Sequence, residues 1–245
     1  MHELATNPAV LAVIAGVSAL QSVFGVGVLL FGTPLLLLLG HEFTDVLTLL
    51  LPVSLAISTS QVLTQWRHVE RRFLLRVAYC ALPAIVLGLG VALWVKLPLG
   101  LPVAAILLLC GLRGLWPPLE RALSRGARHE RAALVLTGLV HGLSNLGGSL
   151  LSVQVHQKGL GKDATRASIA AAYALFASSQ LATVAFVQDG LWPRILSNLP
   201  ALALGLVVYG TVNALVFRQL DARRYGQAFA SFLVVCGLTL ALRSL

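Results

Sequence analysis

Acidic side chains are scarce. Nine Asp and Glu stand against eighteen Lys and Arg in 245 residues, and all charged types together make up 11% of the chain. A soluble domain averages about 25%. With 58% hydrophobic residues, such a chain could not cover its own surface in water. In a bilayer the same composition is expected, because most side chains face hydrocarbon. Carboxylates are almost absent from the apolar runs, and His141 and His156 have no evident acidic partner. That argues against a membrane-embedded enzyme built on metal or catalytic clusters. No P-loop is present, so energy for any transport comes from a gradient and not from ATP. No cofactor or metal site is expected. The three cysteines, Cys80, Cys110 and Cys236, lie inside apolar runs, where a cysteine behaves as a small hydrophobe, and no disulfide framework is expected. Residues 1–8 carry no basic n-region, and the first apolar run outlasts a signal peptide, so no removable leader is expected.

What is present is length of apolar run. Uncharged stretches cover 8–40, 46–66, 77–95, 97–112, 132–157, 167–188, 195–217 and 225–242. A crossing helix needs about 20 apolar residues, so these are read as about eight transmembrane segments of an all-α, multi-pass protein. They do not alternate, which argues against spanning strands. The net charge of +9 sits in the breaks: Arg67, Arg71, Arg72 and Arg76; Arg121, Arg125, Arg128 and Arg131; Lys158, Lys162 and Arg166; Arg218, Arg223 and Arg224. Loop charge of this kind sets topology, with Lys and Arg on the cytoplasmic side, so no nucleic-acid partner is expected. Arg166 and Lys162 are read first as loop charges, and second as attractors of an anion. Asp45 and Glu42 are read as solvated helix ends. Strict alternation of eight crossings puts the 158–166 and 218–224 loops on the wrong side. A segment that enters and leaves on one face removes the conflict. The glycine-broken first run (Gly25, Gly27, Gly32, Pro34) and the 132–157 run (Gly142, Gly147, Gly148) are the candidates.

The two halves resemble each other. Leu82-Pro83-Ala84 with Gly88 returns as Leu199-Pro200-Ala201 with Gly205; Leu109-Cys110-Gly111-Leu112 returns as Val235-Cys236-Gly237-Leu238. Ser58-Thr59-Ser60-Gln61 returns as Ala177-Ser178-Ser179-Gln180, and Gly16 with Gly25 returns as Gly138 with Gly147. Four matches in one order point to duplication: a first four-segment repeat over 1–119, a charged linker over 120–131, and a second repeat over 132–245. Transporter sites tend to lie where such repeats meet.

Polar residues concentrate in the first two runs of each half, and polar groups within a membrane tend to mark function. Broken helices offer close backbone approach, free N–H groups and a positive helix end to an anion. The candidate binding residues are Gln21, Gly25, Gly27, Thr33, Ser60 and Gln61 in the first half, and His141, Asn145, Gly147, Gly148, Ser179 and Gln180 in the second. The Gly25–Gly27 and Gly147–Gly148 breaks are expected to face each other near the midplane. His141 can carry a coupled proton or stand as a neutral hydrogen-bonding residue; both readings stay open.

Gly16, Gly25, Gly27, Pro34-Leu35-Leu36 and Gly40 together resemble the N-terminal signature of the TauE/SafE family of sulfite and organosulfonate permeases. Gly138, Gly142-Leu143, Gly147-Gly148, Lys162 and Ser178-Ser179-Gln180 resemble that family's second repeat. The family's three adjacent glycines become Gly25-Val26-Gly27 and Gly147-Gly148, and Val155-His156-Gln157 replaces Pro-Leu-Leu in the second copy. The resemblance implies a permease for small, often sulfur-containing anions, with a proton as candidate co-substrate; no organelle-targeting segment is apparent, so a prokaryotic cell inner membrane is the expected location. It names neither the anion nor the direction. A membrane-embedded enzyme and a non-transporting membrane assembly partner are the alternatives.

Overall fold

The first apolar run breaks at its glycines. Helix α1 (Pro8–Phe24) starts with Pro8 in its first turn and Asn7 as cap, the Asn7 side chain accepting from the Ala9 N–H at 2.9 Å. It ends at Gly25, whose φ of 74° is the left-handed conformation that favours glycine. Helix α2 (Val28–Leu38) follows after two residues. The chain turns back here: a Cβ on Gly27 would meet the Val17 carbonyl at 2.8 Å and the Gln21 N at 2.6 Å. The start of α2 therefore lies beside the last turns of α1 and not beyond its end.

This computed structural model describes residues 6–94, 100–126, 129–216 and 222–244, and every regular element in them is helical. Lys96, Arg128 and Arg218 lie outside the described residues. After α2 come α3 (Phe43–Gln65) with a short 3₁₀ turn, then α4 (Arg71–Arg76), which continues through one π turn (Val77–Ala81) into α5 (Leu82–Trp94). Pro83 has no N–H to give the carbonyl one turn back, which accounts for the widened turn. Next are α6 (Gly100–Leu115) and α7 (Pro117–Gly126). The linker expected at 120–131 is thus helical at its start.

The 132–157 run breaks as the first one does. Helix α8 (Glu130–Ser144) ends at Asn145 with φ 63°, and α9 (Gly148–His156) follows. Helix α10 (Lys162–Val187) is the longest element. Then come α11 (Leu191–Ser197), α12 (Leu199–Val216) and α13 (Ala222–Ser244). Between α11 and α12 the chain bends by 55°. Pro200 stands there where the first half has Pro83.

Three helical stretches are long and apolar enough to cross a bilayer: Phe43–His68, Arg71–Trp94 and Lys162–Val187; the bent pair α11–α12 makes a fourth. Shorter apolar helices lie at Pro8–Ser22, Val28–Leu38, Val103–Leu115 and Leu233–Leu242. Large apolar side chains such as Trp94 and Phe186 point outward, 87% and 93% exposed, as lipid-facing residues do. The chain is a multi-pass helical membrane protein.

Helix α1 packs on α12, as α8 packs on α5, while α3 pairs with α10 and α6 with α13. Small residues allow the close approaches: Gly111 lies against the Ala230 carbonyl of α13, and Gly237 against the Ala104 carbonyl of α6. Helices α3 and α10 run antiparallel, since the Glu70 N–H just beyond α3 donates to Ser168 Oγ near the start of α10 at 2.9 Å.

Candidate functional site

Polar side chains gather along α1, α3, α8 and α10 and are shielded from the surface. At the first break, Gln21 Oε1 accepts the Val28 N–H at 2.9 Å, and Gln21 Nε2 donates to Ser58 Oγ at 3.1 Å. One carboxamide thus caps α2 and ties α1 to α3. A Cβ on Gly25 would stand 3.1 Å from Arg166 Cγ and 3.4 Å from Gln61 Nε2, so both side chains close on that glycine. Arg166 is only 6% exposed. Its Nη2 donates to the Ser22 carbonyl at 2.5 Å and to Asn213 Oδ1 at 2.7 Å. Reading it as a loop charge is therefore corrected: it is a buried cation on the α1 break. Gln61 is buried too, and neither of its amide atoms has a hydrogen-bond partner among the described residues.

The second break has the same left-handed residue and close glycine approach, with different side chains. A Cβ on Gly147 would meet the Thr137 carbonyl at 2.4 Å and His141 Cβ at 2.5 Å. Gly147 thus takes the place of Gly27, His141 that of Gln21, and Asn145 that of Gly25. The expected pairing of Gly25 with Gly147 is off by two residues, because the left-handed position is Gly25 in one break and Asn145 in the other. Asn tolerates that conformation better than other side chains. Its side chain also works: Asn145 Nδ2 donates to Thr33 Oγ1 of α2 at 3.1 Å, and Asn145 Oδ1 accepts from Gln180 Nε2 at 2.7 Å. This chain of bonds joins α2, the second break and α10.

His141 is fully buried, its ring 4.6 Å from that of Phe176 and edge-on to that of Tyr173 at 5.9 Å. Neither ring nitrogen makes a hydrogen bond of ordinary geometry among the described residues, nor does Tyr173 Oη or Gln180 Oε1, although the Gln180 side chain interacts with the imidazole. The Tyr173 hydroxyl lies over Gly148, the first residue of α9: a Cβ there would sit 1.3 Å from Oη. Only glycine fits. The first turn of α9 carries N–H groups without intrahelical acceptors and the positive end of the helix. Unpartnered donors and acceptors thus surround a helix N-terminus.

The breaks do not face each other tip to tip. Gly25 touches α10 at Arg166 and Asn145 touches it at Gln180, contact points separated by 14 residues (180 − 166), about 21 Å of helix rise. Asn145 leans instead on Thr33, in the second turn of α2. Two expected residues stand apart from the site. The Ser179 hydroxyl is spent on the Phe176 carbonyl at 2.9 Å, and Ser60 is partly exposed on α3. Three others join it: Ser58, Arg166 and Tyr173. Arg166, Tyr173 and Gln180 recur at seven-residue spacing, which puts them on one face of α10 and is readable in the sequence. Among the described residues, no three His, Cys, Asp or Glu side chains converge as a metal site would require.

No curated protein and no solved structure matches the chain. The family described as Sulfite exporter TauE/SafE matches residues 9–240, nearly the whole length. The broken apolar runs with their buried polar linings are therefore those of a member of the TauE/SafE sulfite exporter family, a family of membrane transporters.

Proposed function

We propose that the chain is a secondary transporter of small anions, foremost sulfur-containing ones such as sulfite and sulfonates, and that the anion binds at the second break. The observation that carries this reading is the set of unpartnered buried groups around Gly148: His141, Tyr173 Oη and Gln180 Oε1. Buried polar groups in a membrane are costly unless something satisfies them. The first break is the weaker candidate, because Gln21 already takes the N–H that an anion would use. A proton is the first candidate for the coupled ion, since His141 is the ionisable side chain at the break. A prokaryotic inner membrane is the proposed location.

We also propose a duplicated chain of inverted halves. Glu130, at the start of α8, pairs with Lys158, just past α9, at 2.7 Å, and with Arg76. Helices α8 and α9 thus begin and end together, which supports a hairpin that enters and leaves on one face. If α1–α2 is its counterpart from the other face, the basic residues of 67–76, 113–121, 129–131 and 158–166 and the start of α13 at 222–224 all fall on one side. That satisfies the positive-inside rule. Asp45 and Arg194, 3.8 Å apart, then mark the opposite side.

Flux of sulfite and of simple sulfonates into proteoliposomes tests the assignment. Asn145→Ala is expected to cut flux by about tenfold or more, since two buried partners lose their hydrogen bonds. Gln61→Ala is expected to cut it less. Unchanged flux in both variants would sink the site.

A further inference from the structure

The second break presents an acceptor that a fully ionised anion cannot use. Gln180 Nε2 donates to Asn145 Oδ1 at 2.7 Å and lies 3.4 Å from the His141 carbonyl. That carbonyl is a fixed acceptor, already taking the Asn145 N–H at 2.8 Å. Turning the Gln180 amide over would set one oxygen against another, so the backbone fixes the orientation. Gln180 Oε1 is then fully buried and makes no hydrogen bond of ordinary geometry among the described residues, although the Gln180 side chain interacts with the His141 imidazole. Gln154 Oε1 is similarly unpartnered, but it constrains less. Its amide faces Thr137 Oγ1 at 2.7 Å, and a hydroxyl can either donate or accept.

The balance of the site follows. Tyr173 offers a donor, a neutral His141 offers one donor and one acceptor, and Gln180 offers an acceptor alone. A buried acceptor that finds no donor is costly, and a site built to hydrogen-bond a ligand group rejects the analogue that lacks it. We infer that the second break selects small anions that carry their own O–H or N–H donor. The oxyanion end meets the Tyr173 hydroxyl and the first turn of α9, and the donor meets Gln180 Oε1. This inference rests on the proposal that the anion binds at the second break.

The test is ligand binding to the purified full-length chain in lipid nanodiscs, read by titrated thermal stabilisation. Ethanesulfonate, 2-hydroxyethanesulfonate and 2-aminoethanesulfonate share one acid group and differ in the donor. The 2-hydroxy compound is expected to bind about tenfold tighter than ethanesulfonate, and the 2-amino compound distinguishes N–H from O–H as the preferred donor. Gln180→Met is expected to bring the hydroxyl preference within about twofold, whereas Tyr173→Phe weakens both ligands alike. Equal binding of all three sulfonates by the unaltered protein overturns the donor requirement and leaves the anion site standing. That is also the result expected if the His141 imidazole supplies Gln180 instead. No binding of any anion overturns both. If Gln180→Met does not fold, the comparison on the unaltered protein decides alone.

Discussion

At the first break Gln21 reaches forward seven residues and accepts the Val28 N–H; at the second, His141 stands in the same place before its glycine and reaches no partner among the described residues. In each break a glycine lies on the preceding helix, Gly27 in one and Gly147 in the other, though Gly27 is extended at φ 175° and Gly147 helical at φ −57°. What differs is satisfaction. At the first break Gln21, Ser58 and the Arg166 bond to Ser22 take up the groups nearest the start of α2, and the Gln61 amide beside Gly25 is what stays without a hydrogen bond among the described residues. The second leaves an imidazole, a phenol and an amide oxygen for something else to complete. The proposed anion site at the second break rests on that difference in which side chains stand beside the start of the second helix.

The sharpest way to break the comparison is at the first residue after each glycine. It is Val28 in α2 and Gly148 in α9. Gly148→Ala forces a Cβ to within 1.3 Å of Tyr173 Oη, so anion binding and most of the folded yield are expected to be lost. Val28→Ala removes only buried methyl groups and is expected to cost about 1–2 kcal/mol. Adding Tyr173→Ala to Gly148→Ala is expected to restore folded yield on size-exclusion chromatography without restoring binding. Normal binding by Gly148→Ala alone would show that Tyr173 is not seated over the helix end.

Next in size is an opposed pair of effects at Gln21 and His141. Gln21→Ala strips the cap from Val28 and the donor from Ser58, so unfolding in mild detergent is expected to become easier by about 1–3 kcal/mol. Anion affinity should stay within about twofold. His141→Leu removes two buried nitrogens that lack partners among the described residues, so stability should hold or rise while affinity falls. The reverse pattern would move the site to the first break.

Much of this was legible in the sequence because it rests on residue type. The breaks fall at Gly25–Gly27 and Asn145–Gly148 because left-handed and close-packed backbone positions demand Gly or Asn, and those letters stand out in an apolar run. Gln21, Asn145 and Gln180 were found because an amide inside a membrane is unusual. Arg166 reads as a loop charge because a cation near the end of a run looks like one; only its seat against Ser22 of α1 and Asn213 of α12 buries it. Tyr173 lacked a signal of its own, since a tyrosine in an apolar run is ordinary until Gly148 lies beneath it. Depth was invisible for a similar reason. Sequence spacing does not state where along α10 each break makes contact, and so the offset of the breaks came only with the fold.

The smallest effect concerns the ends of the proposed hairpins. Glu130 clasps the second one through Lys158 and Arg76, whereas no ion pair joins the ends of the first among the described residues. Burial pushes the Glu130 carboxyl up, but the bonds and charge of Lys158 and Arg76 outweigh it and hold it below the usual carboxylate range. A group whose pKa is depressed on folding adds stability above its unfolded value and loses it as pH falls through the folded one. The clasp is therefore expected to act at neutral pH and to fade in acid, below the ordinary glutamate range. Arg76 is half exposed, so water and salt screen the pair and the contribution stays below about 1 kcal/mol. Thermal unfolding of the unaltered protein and of Glu130→Gln should differ slightly at neutral pH and low salt, and should converge in acid or at high salt. A difference that survives both conditions would mean that Glu130 acts by packing, and the clasp would then be no electrostatic distinction between the two hairpins.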